Sequence, residues 1–442
     1  MTDPATDTIA ALATPTGRGG IGVLRISGAA SARIGRQLMD SLPAPRDAAL
    51  RWFVDADGER IDRGIALFFP APHSFTGESV VELQAHGGPV VLDALLEAAL
   101  THGARLAEPG EFTRRAYLND KLDLAQAEAV VDLINSATRT AARAAARSLN
   151  GDFSRDVHAL VDALTNLRVY IEAAIDFPEE EVDFLSDPQV DARLGDVTER
   201  FEALLHGARV GQRLRDGMTI VIAGKPNAGK SSVLNRLAGH DAAIVTDRPG
   251  TTRDVLREDI EIDGVPLRVV DTAGLRDSDD PIEAEGVRRA RAEFERADLV
   301  LHVMDVTDKH ADGVELPPID VLHVHNKIDL LPATGAQQTD DALWLSAQTG
   351  EGFDELKLAL RKAAGIEQAT EGNVIARTRH LDALQRAFTH LDTGTHELKD
   401  HGAGEIMAEE LRLAQMCLGE ITGRVSSDDL LGHIFSSFCI GK

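Results

Sequence analysis

Gly224-Lys225-Pro226-Asn227-Ala228-Gly229-Lys230-Ser231 sets two glycines, a lysine and a hydroxyl at the spacing of a phosphate-binding loop. The glycines let backbone N–H groups close on phosphate oxygens, and a helix N-terminus behind them adds positive potential. Lys230 is placed to bridge the β- and γ-phosphates and Ser231 to ligate Mg2+. The context fits: Met218 to Ala223 reads as a buried strand and Ser232 to Leu237 as a helix. Asp271-Thr272-Ala273-Gly274 closes a second strand run, with Asp271 suited to hold Mg2+ through water and the Gly274 N–H to reach the γ-phosphate. Asn326-Lys327-Ile328-Asp329 follows a third run. The Asp329 carboxylate can accept from guanine N1–H and the 2-amino group, neither of which adenine offers, and lost polar pairing of this kind discriminates strongly. Ser346-Ala347-Gln348 supplies a last loop over the base. Any one of these is a turn by itself; four in the order of one fold imply a guanine-nucleotide site. That site comprises Asn227, Ala228, Gly229, Lys230, Ser231, Ser232, Thr246, Asp247, Arg248, Pro249, Gly250, Thr251, Thr252, Asp271, Thr272, Ala273, Gly274, Asn326, Lys327, Asp329, Ser346, Ala347 and Gln348.

Hydrolysis needs an oriented water and a cation near the leaving phosphate. Leu275 stands where Ras-like enzymes place a glutamine, so another group must orient the water; Asp277, Asp279, Asp280, Glu283 and Glu285 are the carboxylates on offer. No arginine finger is evident. Asn227, with loop carbonyls from residues 246–252, makes an oxygen cage suited to a monovalent cation, although Asn227 also fits a plain turn. Thr252 is expected to complete the Mg2+ shell with Ser231.

The elements that must position these residues fall into blocks. Residues 1–119 mix short β-like runs (Ile21 to Ile26, Ile65 to Phe69, Val80 to Gln84) with a helix over Val90 to Ala99, a small α+β domain. Residues 120–215 read as helical, with Asp120 as a cap for a segment carrying Leu122, Ala125, Ala129, Val130, Leu133 and Ala137. Val157, Leu160, Val161, Leu164, Leu167 and Ile171 form an apolar stripe. Residues 216–364 alternate strand and helix, predicting a doubly wound, mostly parallel sheet. Ile260 to Val265 reads as a hairpin through Asp263-Gly264. Residues 365–442 return to helix, with Leu381, Leu384, Phe388 and Leu391 in register. Each helical block alone has a narrow stripe, so the two are expected to pack together as one discontinuous domain with the nucleotide domain inserted.

Composition bounds the role. The 442 residues carry 72 acids against 46 Lys and Arg, a net charge of −26. Nonspecific nucleic-acid binding runs on neutralised phosphates, so an RNA substrate would need a basic partner or a local basic patch. The two cysteines, Cys417 and Cys439, are no disulfide scaffold and point to the cytosol. No signal peptide or membrane span is visible.

Several segments outside the nucleotide motifs carry a closer resemblance: Ala13 to Gly22, Ser74-Phe75-Thr76-Gly77-Glu78, His86-Gly87-Gly88-Pro89, Pro109 to Ala116, Leu118 to Glu128 and the tail Ile434 to Lys442. Along essentially its full length the chain resembles the MnmE (TrmE) family of tRNA modification GTPases. The resemblance implies a multidomain α/β fold: an N-terminal α+β folate-binding and dimerisation domain, a discontinuous α-helical domain, and an inserted Ras-like doubly wound G domain. It implies a cytoplasmic GTP hydrolase that acts with a flavin-dependent partner, MnmG (GidA), in a heterotetramer. Together they modify wobble-uridine C5 of certain tRNAs with an aminomethyl-type (carboxymethylaminomethyl) group, the one-carbon donor being 5-formyl- or methylene-tetrahydrofolate. It further implies a homodimer, tRNA held mainly through the complex, and no membrane. By residue, Asn227, Thr246, Arg248 and Thr251 match the K+ site, Ser231 and Thr252 the Mg2+ ligands, and Glu283 the catalytic carboxylate acting through bridging water. Arg25, Glu82, Lys121 and Lys442 match folate contacts; a carboxylate can read pterin N–H groups and cations the glutamyl tail. Cys439 matches a family cysteine, either catalytic or a small apolar filler. Arg248-Pro249 is a stiffer pair than that K+ loop is expected to carry.

Two other readings stand beside this one. A ribosome-assembly switch shares an Asn-bearing phosphate loop, but after Gly372 the chain has no GxxG loop or basic stripe. A folate-dependent one-carbon enzyme with a regulatory G domain overlaps with the first reading. The Arg139, Arg143, Arg147 row and Arg288-Arg289-Ala290-Arg291 read as solvated faces or RNA contacts.

Overall fold

The computed structural model describes residues 7–176, 188–240, 257–262, 264–271, 297–308, 316, 318–331, 342–365, 374–425, 428–436 and 438–441. By its internal contacts the chain divides into two compact units: residues 1–131 with 415–442, and residues 132–414.

The first unit opens with β1 (Ile9–Leu12), β2 (Gly19–Ser27), α1 (Ser31–Leu38), β3 (Ala49–Val54), β4 (Arg60–Phe69), β5 (Val80–Gly87), α2 (Pro89–Thr101) and β6 (Arg105–Leu106). Among the described residues these strands form one sheet in the order β3-β4-β5-β2-β1-β6, antiparallel except for β1 with β6. Pleating sends alternate residues to opposite faces. Leu24, Ile26, Val81 and Leu83 therefore share a core with Leu92, Leu95 and Ala98 of α2 and Ile34 and Leu38 of α1. The three expected β-runs lie inside β2, β4 and β5. Helix α3 (Glu111–Leu118) follows, and α4 (Leu124–Ile134) packs Leu124 and Ala127 on Leu431, Ile434, Phe435 and Phe438 from the end of the chain.

The cap of α4 differs from the sequence expectation. Asp120 has φ 55, a left-handed turn residue after α3, and Asp123 does the capping. The Asp123 carboxylate accepts from the Gln126 N–H at 2.8 Å, and the Gln126 side-chain oxygen accepts from the Asp123 N–H at 3.0 Å, a reciprocal capping box. Leu122 and Ala137 fall outside the helix.

The second unit holds α5 (Arg139–Leu149), α6 (Asp152–Asp176), α7 (Pro188–Asp216), β7 (Met218–Ala223), α8 (Lys230–His240), β8 (Arg257–Ile262), β9 (Val265–Asp271), β10 (Leu299–Asp305), β11 (Val321–Asn326), β12 (Leu343–Trp344), α9 (Phe353–Ala363) and α10 (Thr378–His401). Helices α11 (Gly404–Thr422) and α12 (Asp428–Ser436) complete the chain. Thr138 caps α5, its hydroxyl accepting from the Ala141 N–H. In α6, Val157, Leu160, Leu164, Leu167 and Ile171 are buried, as the stripe predicts, while Val161 is half-buried at its edge. Phe201 of α7 meets Phe388 of α10 edge-on at 5.7 Å, and the Ser148 hydroxyl exchanges hydrogen bonds with the Ile375 backbone.

The second sheet runs β12-β11-β10-β7-β9-β8, parallel except for the β8–β9 hairpin. Strand β7 is flanked by β9 on one side and β10 on the other, so the chain reverses its direction of travel at β7. In doubly wound sheets that reversal opens a crevice at the carboxyl ends of the strands, where ligands bind.

Candidate functional site

Strand β7 delivers the phosphate loop to that crevice. Gly224 has φ +142, and a side-chain carbon there would sit 2.1 Å from the Val303 carbonyl oxygen. Gly229 has φ +92, and a side-chain carbon would sit 2.2 Å from the Asn326 amide nitrogen. Both glycines are thus required twice, by backbone conformation and by close approach. Asn227 also takes the left-handed conformation, φ 66, with its side chain exposed. Lys230 begins α8 and is 8% exposed. Its ammonium donates to the carbonyls of Gly224 at 2.8 Å and Lys225 at 2.9 Å, which curls the loop around it. Ser231 and Ser232 stand exposed in the first turn of α8, so the Ser231 hydroxyl fits a Mg2+ ligand at the phosphate end.

Strand β11 delivers the base turn. Asn326 is buried and holds two loops together: its amide donates to the Ala228 carbonyl at 2.9 Å, and its carbonyl accepts from the Ala347 N–H at 3.0 Å. Lys327 is left-handed, φ 71, and its ammonium meets the Asp305 carboxylate at 2.6 Å. Burial would raise the Asp305 carboxyl, but the bonds from Lys327 and Thr307 outweigh it and hold the group below the ordinary aspartate value. Asp329 lies exposed in a 3-10 turn, and the Ser346 hydroxyl donates to one of its oxygens at 2.5 Å. That bond orients the carboxylate and leaves lone pairs on both oxygens for a base edge. Arg236 of α8 donates to the carbonyls of Ala347, Gln348 and Thr349, which anchors the loop expected to cover the base.

The structure therefore brings together Asn227, Ala228, Gly229, Lys230, Ser231, Ser232, Asn326, Lys327, Asp329, Ser346, Ala347 and Gln348. Asp271 closes β9 beside β7. Thr246, Asp247, Arg248, Pro249, Gly250, Thr251, Thr252, Thr272, Ala273, Gly274, Glu283 and Lys442 lie outside the described residues. Sequence reasoning missed Arg236, Asp305 and Asp308. Their types and positions are visible, but their partners are fixed only in three dimensions.

The first unit carries the other candidate group. Arg25 and Glu82 face each other across β2 and β5 and pair at 2.8 Å, each partly exposed. The Arg25 guanidinium lies 5.8 Å from the Phe75 ring centre and 5.6 Å from that of Phe112. A guanidinium and a carboxylate beside the exposed Phe75 ring suit a flat heterocycle with amino groups, while the buried Phe112 backs Arg25. Lys121 is exposed after α3. The tail packs in the same unit: the Cys439 carbonyl accepts from the Gly110 N–H, Cys439 is exposed, and a side-chain carbon at Gly441 would meet the Leu12 carbonyl at 2.1 Å.

Comparison with known proteins points to one family. A family model described as the MnmE helical domain matches residues 124–439, and one described as the GTP-binding protein TrmE N-terminus matches residues 8–121. A tRNA modification GTPase MnmE from Sodalis glossinidius (strain morsitans) is 55% identical over 451 residues, covering 99% of both chains. The chain belongs to the MnmE family. Another MnmE, from Erwinia tasmaniensis, is 54% identical over 450 residues and again covers 99% of both chains. Among solved structures, a FeoB G domain from Methanococcus jannaschii aligns with 25% identity and TM-score 0.25, covering 33% of this chain and 97% of that one. The two family models, an N-terminal and a helical domain, agree with the α+β sheet and the helices described above.

Proposed function

We propose that this chain is a K+-dependent GTPase that works with a flavin-dependent partner, MnmG, on wobble-uridine C5 of certain tRNAs, with a tetrahydrofolate as one-carbon donor. GTP hydrolysis in tRNA modification is the function that the relatives' name states, and membership of the family brings it to this chain. The observation that carries the reading is the joint geometry of the phosphate loop and the Asn326–Asp329 turn, tied together through Asn326.

The phosphate-loop N–H groups, the α8 N-terminus and Lys230 bind the triphosphate, and Asp329 with Ser346 reads guanine. Ser231 and Thr252 are the proposed Mg2+ ligands. The exposed left-handed Asn227 fits a K+ ligand, alongside Thr246, Arg248 and Thr251. K+ and Mg2+ supply positive charge where negative charge builds on the transferring phosphoryl group. Glu283 is the proposed base, acting on the attacking water through a bridging water. In the first unit Arg25, Glu82, Lys121 and Lys442 are proposed to hold the folate. The proposed assembly is a homodimer joined through the N-terminal domain, bound to MnmG in a heterotetramer that holds the tRNA; a separate basic partner suits a chain of net charge −26. The proposed location is the cytoplasm. Among the described residues no helix is long and apolar enough to cross a membrane.

The test is complementation. A bacterial strain deleted for its own family member is given this chain, and wobble nucleosides are measured by mass spectrometry. The chain is expected to restore the modified uridine, and Glu283→Ala and Arg25→Ala to fail. Restoration of growth without the modified uridine would favour the ribosome-assembly reading instead.

A further inference from the structure

Two acids at the end of β10, Asp305 and Asp308, belong to none of the nucleotide motifs, yet each holds a lysine that does. The Asp305 carboxylate takes the Lys327 ammonium at 2.6 Å, next to the residue that presents Asp329. The Asp308 carboxylate takes the Lys225 ammonium of the phosphate loop at 3.1 Å. The turn between them is itself ordered. The Asp308 N–H donates to the Asp305 carbonyl at 3.0 Å, and the Thr307 N–H and hydroxyl donate to the Asp305 carboxylate at 2.9 and 2.7 Å. The Val306 N–H donates to the Asn326 carbonyl at 3.1 Å.

These contacts close a circuit. It starts in the phosphate loop at Lys225, crosses to Asp308, follows the turn to Asp305, and crosses to Lys327. It then passes to Asn326 and returns to the phosphate loop at the Ala228 carbonyl. We propose that the Asp305–Asp308 turn is a positioning device that locks the phosphate loop to the guanine-reading turn, so that nucleotide affinity and guanine selectivity depend on it and the chemical step does not. This rests on the GTPase reading above.

The chemistry favours a tether over a ligand site. Both carboxylates are neutralised by lysines, so the turn does not repel an incoming polyphosphate. Lys230 differs: its ammonium is held by backbone carbonyls, which exchange readily for phosphate oxygens. A metal site is not supported, because among the described residues no group of three or more His, Cys, Asp or Glu is placed to hold one. The left-handed backbone of Lys327 is disfavoured for a residue with a side chain, and the Asp305 bond together with the Val306–Asn326 bond offsets that. The Asp305 pair is the less exposed of the two, so it carries the larger effect.

The experiment uses the full chain and the fluorescent nucleotide N-methylanthraniloyl-GDP. Asp305→Asn is expected to raise its Kd roughly tenfold, mainly through faster release, with kcat for GTP at saturation changed less than about twofold. Asp305→Asn is also expected to narrow the preference for GDP over IDP, which lacks the 2-amino group. Asp308→Asn and Lys225→Met are each expected to weaken binding about two- to threefold, and the double variant no further than either single one. Wild-type affinity in Asp305→Asn, additive losses in the double variant, or kcat falling in step with nucleotide-free melting temperature would overturn the proposal. Failure of the unaltered chain to bind the probe would overturn the GTPase reading and this inference with it.

Discussion

Backbone conformation sets the nucleotide site before any side chain acts. Gly229→Ala asks a left-handed residue to place a carbon 2.2 Å from the Asn326 amide, which must then abandon the Ala228 carbonyl. It is expected to abolish measurable GDP binding in calorimetry while far-ultraviolet circular dichroism stays unchanged; retained binding would show that the loop adapts. Asp329→Asn replaces an acceptor with a donor facing guanine N1–H, and is expected to weaken GTP at least ~100-fold while improving xanthosine triphosphate. Equal loss of both nucleotides would mean that Asp329 only supports the turn. At this scale the phosphate loop and Asn326 to Asp329 were legible because each motif is contiguous in sequence. Asp305 and Asp308 were not, since their partners lie 22 and 83 residues away and only the parallel strands bring them close.

Helices and strands were legible where periodicity is strong and ambiguous where a cap decides. The stripe of α6, apart from half-buried Val161, and the runs inside β2, β4, β5, β7, β9 and β11 followed from apolar spacing, whereas β1, β3, β6 and β10 were not picked out. The start of α4 did not, because Asp120 and Asp123 are both acceptable caps by type. Asp120 is taken by the turn that ends α3, where the Lys121 N–H donates to the Ala116 carbonyl, so the helix starts at the next aspartate with a glutamine three residues on. Asp123→Ala is expected to cost about 1 kcal/mol in urea unfolding and Asp120→Ala to cost less. The reverse order would restore Asp120 as the cap. Phe201→Ala removes a fully buried ring between α7 and α10 and is expected to cost about 3–5 kcal/mol. A loss under about 1 kcal/mol in the same assay would mean that the two helices do not depend on each other.

On the scale of the molecule, charge decides how stability follows pH. In the first unit Arg115, 7% exposed, is held by Asp7, Glu78 and Glu111, and Arg105 adds bonds to Asp7 and Glu111. Burial opposes ionisation of Asp7 and Glu111, but the two guanidinium groups outweigh it and lower both carboxyls. The folded state therefore binds fewer protons than the unfolded one in the carboxylate range. The stability this contributes is complete above about pH 5 and is lost as pH falls through the ordinary values to the lowered ones. Arg115→Met leaves Glu78 without its guanidinium partner and Asp7 and Glu111 with Arg105 alone, so its melting temperature is expected to drop most at pH 7 and to approach the parent's near pH 3; a pH-independent drop would assign the loss to packing alone. The network itself was not legible in sequence, because its members come from separate stretches of chain and only the fold brings them together.

In the function proposed above, GTP hydrolysis needs a monovalent cation at Asn227. GTP turnover by the full chain in KCl and in NaCl at equal ionic strength tests it most directly, with Asn227→Ala and Glu283→Ala alongside. Strong stimulation by K+ that Asn227→Ala removes, with little turnover by Glu283→Ala in either salt, is the predicted result. Equal turnover in both salts would contradict the cation mechanism and leave an ordinary GTPase switch.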